Sequence, residues 1–437
     1  MAAREQGFGL WTGVGIVASS MIGTGVFLSA GFMAQDLGPG LILLAWCVGS
    51  VVALAGARAY GALARQVPRS GGEYRYLHDL FHPALGYFAG WVTLLVGFSA
   101  PVAVNARAAS AFADTLVPVP DQQWLASTLV VALTLFHALH LATSRWTQDV
   151  LALVKAVLVL AFAALGLAAG SHAWPTWTPP QATPGFPFGA FATGLFFVAF
   201  AFSGWNGAVY VTEEFRRPKR DVPRAMLLGC ALVATLYVLV NWVFVANLSP
   251  ERAAVVFRYE AERVTLGHLI AADVLGPAGG KAMSLLALLS FVSAMSAFIL
   301  TGPRAYAAMA ADGFLPRVLM AREGHPPVGS VLLQGVVTLL LLHTHELRDI
   351  LQNVGAILTL LSALTAAALV RVWWRPAGRP RPDALSLTAA LVYVVAAAWM
   401  FYFGFRRSPQ LGLWLAVIAG ASAAAYGLTR WLRPRRA

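Results

Sequence analysis

The chain has 437 residues, of which 59% are hydrophobic and only 11% are charged. A soluble globular domain carries about 25% charged residues, so this chain has too little charge to cover a water-facing surface of its size. The composition excludes a soluble enzyme, a disordered protein and a nucleic-acid-binding protein. The net charge of +12 needs another explanation, which the placement of the basic residues supplies.

Long runs without Asp, Glu, Lys or Arg predict membrane-spanning helices, which need about 20 apolar residues each. Eleven such runs occur: 7–35, 37–57, 80–106, 122–144, 156–212, 225–250, 282–303, 324–345, 350–370, 384–405 and 408–429. The run 156–212 is too long for one span, and its stretch 170–188 is rich in Pro and Trp, which is typical of an interfacial loop. We therefore divide it into a helix that ends near Gly170 and one that begins near Gly189. The sequence predicts twelve spans.

The basic residues indicate how these spans are oriented. With the N-terminus inside the cell, 21 of the 31 Lys and Arg residues fall in cytoplasmic segments and Arg58 and Lys155 lie within spans. The remaining eight fall on the other side: Arg107, Arg252, Arg258, Arg263, Lys281, Arg348, Arg406 and Arg407. This positive-inside distribution predicts a multi-pass protein of the cell membrane with both termini cytoplasmic. The basic charge then reflects topology and contact with the lipid bilayer rather than a nucleic-acid partner.

Two predicted spans carry dense glycine near the middle. The first contains SSMIGTGVF at 19–27 and the sixth contains FAFSGWNG at 200–207. Backbone that leaves a helix inside the membrane must find other partners, and two interrupted helices in corresponding positions point to a transporter site in an inverted repeat. Helix N-termini there can hold a carboxylate, and free carbonyls an ammonium. The alternative is that Gly23 and Gly25 only permit close helix packing, but the matching second break favours the site.

The substrate site predicted from the two breaks has ten residues: Met21, Ile22, Gly23, Thr24, Gly25, Phe200, Ala201, Ser203, Gly204 and Asn206. Thr24 and Gly25 should begin the second half of the first helix, with N–H groups aimed at the substrate carboxylate. Met21 and Ile22 should end the first half and present carbonyls to the ammonium. Carbonyls of the sixth-helix break should complete the ammonium site.

The stretch FAFSGWNGAVYVTEEFRRPKRDVPRA at 200–225 resembles the sixth-helix signature of the amino acid–polyamine–organocation superfamily, and most closely that of its L-type amino acid transporter branch. Three other stretches agree: IGTGVF at 22–27, PRSGGEYRYL at 68–77, and Arg304 with AADGFLP at 310–316. The resemblance spans roughly residues 10–372. It implies an amino acid transporter, and it places the Phe200 ring as a lid over bound substrate.

The resemblance also implies the fold. We expect an all-α membrane protein with twelve transmembrane helices and a LeuT-type 5+5 inverted repeat in which helices 1 and 6 are broken. The first repeat would occupy residues 1–170 and the second residues 171–372, and two C-terminal helices would occupy residues 373–437.

Two positions depart from the family pattern. The second helix reads Tyr60-Gly61-Ala62-Leu63, whereas the family usually has Tyr-Ala-Glu-Leu. The third helix contains Pro101 and Asn105, which is more similar to bacterial neutral amino acid exporters of the same superfamily. These departures leave the direction of transport and the exact substrate open.

Lys155 lies inside the predicted fifth span, where a lysine costs about 2.5–3.5 kcal/mol on insertion scales. One interpretation is that its side chain extends to the membrane interface. The resemblance implies another, because a fifth-helix Lys in sodium-independent members occupies the place of a sodium ion. Lys155 would then brace the broken first helix, with Ser293 or Ser296 of the eighth helix as its partner. The sequence does not choose between these serines.

The two breaks contain no charged residue, so a charged substrate side chain would stay unpaired there at high cost. The sequence therefore predicts a sodium-independent permease of neutral amino acids that works by alternating access, as an exchanger or a proton-coupled carrier. The alternatives are a cationic amino acid or polyamine antiporter, an exporter of the same fold and a non-transporting amino acid receptor.

No HExxH, GxSxG or P-loop motif occurs, so no enzyme or ATP-driven pump is predicted. We expect no catalytic residue, metal or cofactor, and the sequence leaves an accessory subunit unknown.

Overall fold

A computed structural model describes residues 7–139, 144–180, 185–321 and 326–432 of the chain. Across these ranges the backbone is helical and no strand forms, apart from one isolated bridge between Phe8 and Phe215. The α-helices within them are numbered in chain order: α1 (Leu10–Met21), α2 (Thr24–Met33), α3 (Pro39–Gln66), α4 (Gly72–Leu80), α5 (Pro83–Val92), α6 (Ala100–Asp114), α7 (Gln122–Leu139), α8 (Ser144–Ala169), α9 (Phe188–Ala201), α10 (Pro218–Ala246), α11 (Pro250–Arg258), α12 (Glu260–Val264), α13 (Leu266–Ala311), α14 (Val328–Thr344), α15 (Leu347–Trp374), α16 (Ala384–Arg407) and α17 (Gln410–Leu432).

Eight helical segments of the described chain are long and apolar enough to cross a membrane: Leu10–Met33, Pro39–Gln66, Pro83–Asp114, Gln122–Leu139, Pro218–Ala246, Leu266–Ala311, Leu347–Trp374 and Ala384–Arg407. The other four predicted spans coincide with shorter apolar helices: Leu153–Ala169, Phe188–Ala201, Val328–Thr344 and Leu415–Gly427. The chain is thus an all-helical, multi-pass membrane protein, and the full count of twelve spans stays a prediction.

The helix ends test the boundaries that were drawn from charge-free runs. The division of the longest run is confirmed, because α8 ends at Ala169 and α9 begins at Phe188. Other helices extend well beyond their runs, since a charged residue ends a charge-free run without ending a helix. Arg58 shows this inside α3, where its guanidinium pairs with Asp383 at 2.9 Å and the helix continues to Gln66.

Helices that are five predicted spans apart pack against each other. The second and seventh spans meet as α3 and α10, the third and eighth as α6 and α13, and the fourth and ninth as α7 and α14. The two spans with breaks meet where α2 of the first span contacts α9 of the sixth. The fifth span, α8, packs on α1, and the tenth span, α15, packs on α9 in the same way. The broken helices therefore lie at the centre of the bundle, each supported by the last predicted span of its own half.

A candidate substrate site at two helix breaks

The first break is only two residues long. Helix α1 ends at Met21 and α2 begins at Thr24, so Ile22 and Gly23 interrupt the span. Their backbone is extended, with φ −71° and ψ 93° at Ile22 and φ −146° and ψ −151° at Gly23. The carbonyls at the end of one helix and the N–H groups at the start of the next therefore lack helical partners.

The Lys155 side chain reaches this break. Its Nζ donates to the carbonyl oxygen of Ser19 at 2.9 Å and to that of Ile22 at 3.2 Å. The residue is 1% exposed, so the ammonium lies among the helices. This position does not agree with a side chain that extends to the membrane interface.

Neither candidate serine of the eighth span bonds Lys155 in the described ranges. The hydroxyl of Ser296 lies 2.8 Å from Nε2 of His137 on α7. The hydroxyl of Ser293 is buried and has no hydrogen-bond partner among the residues that the structure describes. Ser293 is thus the serine whose hydroxyl is still available to a partner.

Two further side chains hold the first break, and neither was predicted in this role. The Tyr237 hydroxyl of α10 lies 2.5 Å from the Met21 carbonyl and 3.2 Å from the Ala201 carbonyl, and donates its proton to one or the other. Oδ1 of Asn105 on α6 accepts from the Thr24 N–H at 3.3 Å. Polar residues in apolar runs were the available signal, but the sequence does not say which backbone group each one reaches.

The second break is longer. Helix α9 ends at Ala201, residues 202–206 form turns, and a 3-10 helix follows at Gly207–Glu214. Gly204 has φ +103°, in the left-handed region that glycine adopts without steric cost. The turn itself therefore requires glycine at position 204, the first glycine of the motif SGWNG.

Local backbone hydrogen bonds stabilise this second break. The Ser203 N–H donates to the Phe200 carbonyl at 2.9 Å, and the Gly207 N–H donates to the Gly204 carbonyl at 2.8 Å. The Phe200 carbonyl, which was expected to face the substrate ammonium, thus already has a donor in this structure. A carbonyl oxygen has two lone pairs, so these contacts leave capacity for a second donor.

The two breaks touch through their glycines. A Cβ placed on Gly25 would lie 2.2 Å from the Ala201 Cα, and one on Gly204 would lie 2.7 Å from the Ser20 carbonyl carbon. Both are far inside van der Waals contact, so only glycine permits this approach. A side chain at position 25 would therefore collide with the backbone of the sixth span.

A cavity lies beside the breaks. Its lining includes Ser203, Gly204 and Asn206 from the predicted set, together with Ser20 of α1. The other predicted substrate residues are buried and lie outside this lining: Met21, Ile22, Gly23, Thr24, Gly25, Phe200 and Ala201. The structure therefore brings all ten residues to one region but exposes only three of them to the cavity.

Two phenylalanines of the sixth span differ in position. Phe200 is 3% exposed and is not part of the cavity lining. Phe202 does line the cavity, and its ring packs edge-to-face on Tyr237 with centroids 5.2 Å apart. The lid assigned to Phe200 stays a prediction.

Glu73 on α4 also lines the cavity. It was not predicted as a site residue, although it belongs to the stretch PRSGGEYRYL that carries part of the family resemblance. It accepts hydrogen bonds from the Tyr60 hydroxyl at 3.1 Å, from the Asn206 amide and from the Tyr210 hydroxyl. Burial raises the pKa of this carboxyl. An acid is thus present next to the sixth-helix break.

The sequence model of the family described as amino acid permease matches residues 8–423. The chain belongs to the amino acid permease family. Its resemblance to the amino acid–polyamine–organocation superfamily and to the L-type branch is thereby confirmed. The family and the relatives below are transporters, which also confirms that the protein is not an enzyme.

Three curated relatives illustrate the similarity. The large neutral amino acids transporter small subunit 2 of Rattus norvegicus is 28% identical over 432 residues, which cover 95% of this chain and 79% of that protein. The Asc-type amino acid transporter 1 of Homo sapiens is 25% identical over 428 residues, covering 94% and 79%. The b(0,+)-type amino acid transporter 1 of Mus musculus is 24% identical over 412 residues, covering 91% and 82%. Together they support amino acid transport as the function of this permease.

Proposed function

We propose that this permease is a sodium-independent secondary transporter of neutral amino acids that works by alternating access in the cell membrane. It would act as an exchanger or a proton-coupled carrier, through twelve spans arranged as a 5+5 inverted repeat with both termini cytoplasmic. The packing of helices five spans apart supports the repeat, and the bias of Lys and Arg towards one side supports the orientation.

The observation that carries this proposal is the position of Lys155. Its ammonium bonds the carbonyls of Ser19 and Ile22 at the first break. Unwound carbonyls of this kind coordinate sodium in ion-driven transporters with broken helices. A resident ammonium satisfies the same oxygens without an external ion, which is the physical reason to expect sodium independence.

Neutral substrates suit the breaks best. Neither break offers a charged side chain, so the carboxylate and ammonium of an amino acid would be held by backbone groups. Glu73 lines the cavity, but both of its oxygens already accept hydrogen bonds from the protein. The name of the Rattus norvegicus relative specifies large neutral amino acids, which agrees with this substrate class.

The test is counterflow of labelled amino acids in sodium-free proteoliposomes, for the wild type and Lys155→Ala. The wild type should exchange neutral amino acids without sodium. The alanine variant should lose about ten- to a hundred-fold in flux, because hydrogen bonds from a charged donor are worth about 1.5–3 kcal/mol. Lys155→Arg should rescue poorly, since its planar fork does not reproduce a compact ammonium.

Lys281→Ala is the matched control, because Lys281 is exposed on α13 and should tolerate the same substitution. A sodium requirement in the wild type, or normal flux in Lys155→Ala, would contradict the proposal. A preference for cationic amino acids would favour the antiporter, and specific binding without counterflow would favour a receptor.

A further inference from the structure

Glu73 is a buried acid that the substrate site described above does not use. It lies on α4, between the span that ends at Gln66 and the span that begins at Pro83. The residue is 2% exposed. A carboxylate so placed is costly to ionise unless its surroundings compensate for the lost water, so the groups around it decide its protonation.

Three neutral donors from outside α4 face the carboxyl group. Oε1 accepts from the Tyr60 hydroxyl of α3 at 3.1 Å and from the amide of Asn206, the last residue of the sixth-helix break. Oε2 accepts from the Tyr210 hydroxyl on the 3-10 helix. An ionised carboxylate can accept all three bonds, whereas a protonated one must itself donate from one oxygen. Protonation therefore reverses or breaks at least one of these links and leaves the others neutral, and neutral hydrogen bonds are roughly half as strong as charge-assisted ones.

No cation compensates the charge within the described part of the chain. None of the ion pairs there includes Glu73. The neighbouring Arg75 on α4 pairs with Asp312 at 2.9 Å instead. The titratable groups that interact with the Glu73 charge are phenols of α3, α4, the 3-10 helix and α16: Tyr60, Tyr76, Tyr210 and Tyr393.

Burial dominates the balance at this acid. It raises the pKa of the Glu73 carboxyl, and the bonds from Tyr210, Tyr60 and Asn206 oppose that shift only in part. The carboxyl also lines the cavity that contains Ser203 and Gly204. A proton bound there would lie beside the sixth-helix break and next to the predicted substrate region.

We propose that Glu73 is a proton-binding site of this transporter and that its protonation releases the sixth-helix break from α4. The proposal rests on the proposed function and specifies where this transporter would bind a proton. With Glu73 ionised, Asn206 and Tyr210 are held against α4. With Glu73 protonated, that attachment weakens and the 3-10 helix can move away, so the transport rate rises as the pH falls through the titration of this carboxyl.

The first test measures sodium-free counterflow between roughly pH 5 and pH 8.5, a range above the usual pKa of a glutamate. The wild-type rate should fall severalfold as the pH rises. Glu73→Gln mimics the protonated acid and should give a rate that no longer depends on pH. Glu213→Gln, which neutralises an exposed acid of the 3-10 helix, should keep the wild-type profile. A flat wild-type profile, or an unchanged profile in Glu73→Gln, overturns the proposal.

Tyr210→Phe gives a second measurement in case Glu73→Gln does not fold. It removes a hydrogen bond to the ionised carboxylate, and such bonds are worth about 1.5–3 kcal/mol, so the midpoint of the pH profile should move upwards by about one to two units. A midpoint that stays in place would overturn the assignment of the titration to Glu73.

An infrared titration separates this proposal from the proposed function, because it does not depend on transport. Difference spectra of the purified protein between high and low pH should contain the C=O band of a protonated carboxylic acid, and Glu73→Gln should remove it. The band without any amino acid flux supports the proton site and contradicts the transporter function. Amino acid flux without the band supports the transporter function and contradicts the proton site.

Discussion

The two helix breaks are held in different ways. The first is two residues long and depends on side chains from three other spans: Lys155, Tyr237 and Asn105. The second is five residues long, and bonds within its own turns satisfy much of its backbone. A break that needs three distant partners can change only when those helices move. The turns of the second break are tied to another helix through the Asn206 bond to Glu73 and can rearrange once that bond is lost. We therefore expect the first break to be the more rigid half of the site and the second to be the half that moves.

The largest effect should come from Gly25→Val, which acts on both breaks at once. Its side chain would overlap the Ala201 backbone, since even a Cβ lies 2.2 Å from the Ala201 Cα. Overpacking a well-packed contact costs about 1–3 kcal/mol or more, and here the neighbour is backbone that cannot change rotamer. We expect a large loss of monodisperse protein and of thermal stability, measured after purification.

Gly420→Val is the matched control for this change, because a Cβ on Gly420 meets open space. A Gly25→Val protein that is as stable as Gly420→Val and transports normally would show that the breaks need no close contact.

Phe200→Ala should have the next largest effect and tests whether the second break moves. If the ring closes over the substrate, flux should fall by more than affinity, because the ring would act during closure. Phe202→Ala removes a ring that already lines the cavity. The amino acid affinity of this variant should therefore fall at least as much as its flux. Both variants need counterflow rates and amino acid affinities from thermal stabilisation. Equal losses of flux and affinity in Phe200→Ala would contradict the lid.

Tyr237→Phe should have the smallest effect, a several-fold loss of affinity, since a neutral hydrogen bond contributes about 0.5–1.5 kcal/mol. It loosens the first break by removing the donor to Met21.

The comparison of the breaks becomes sharper in double mutants. Tyr237→Phe should couple with Lys155→Ala, since both residues brace the first break, and residues that share a network are not additive. Strict additivity of that pair would contradict a shared brace.

The sequence predicted the positions of both breaks because their signal is local. Dense glycine in a span indicates unwound backbone, and α1 ends at Met21 while α2 begins at Thr24, as expected. That Lys155 needs polar partners was also predictable, since a lysine in an apolar helix is costly, and its bonds to Ser19 and Ile22 agree with this. The collision at Gly25 was not predictable, because it depends on how closely the sixth span approaches.

The missed residues share one property, which is that their partners are distant in the chain. Tyr237 reaches a carbonyl 216 residues away, and Asn105 reaches an N–H 81 residues away. Glu73 bonds a residue 133 positions away, in the sixth-helix break. Hydropathy and glycine patterns report on a single helix, so they cannot assign such pairs. Only the packing of α4, α6 and α10 around the breaks makes these contacts.

The same long separations bear on the order of events during biosynthesis. The first span enters the membrane with its break exposed, and the Ser19 carbonyl gains its ammonium partner only when Lys155 is made, 136 residues later. The Met21 carbonyl waits for a residue 216 positions further along, which takes roughly 10 to 40 s at about 5 to 20 residues per second. The full set of bonds that holds the first break therefore forms only after the seventh span has been made.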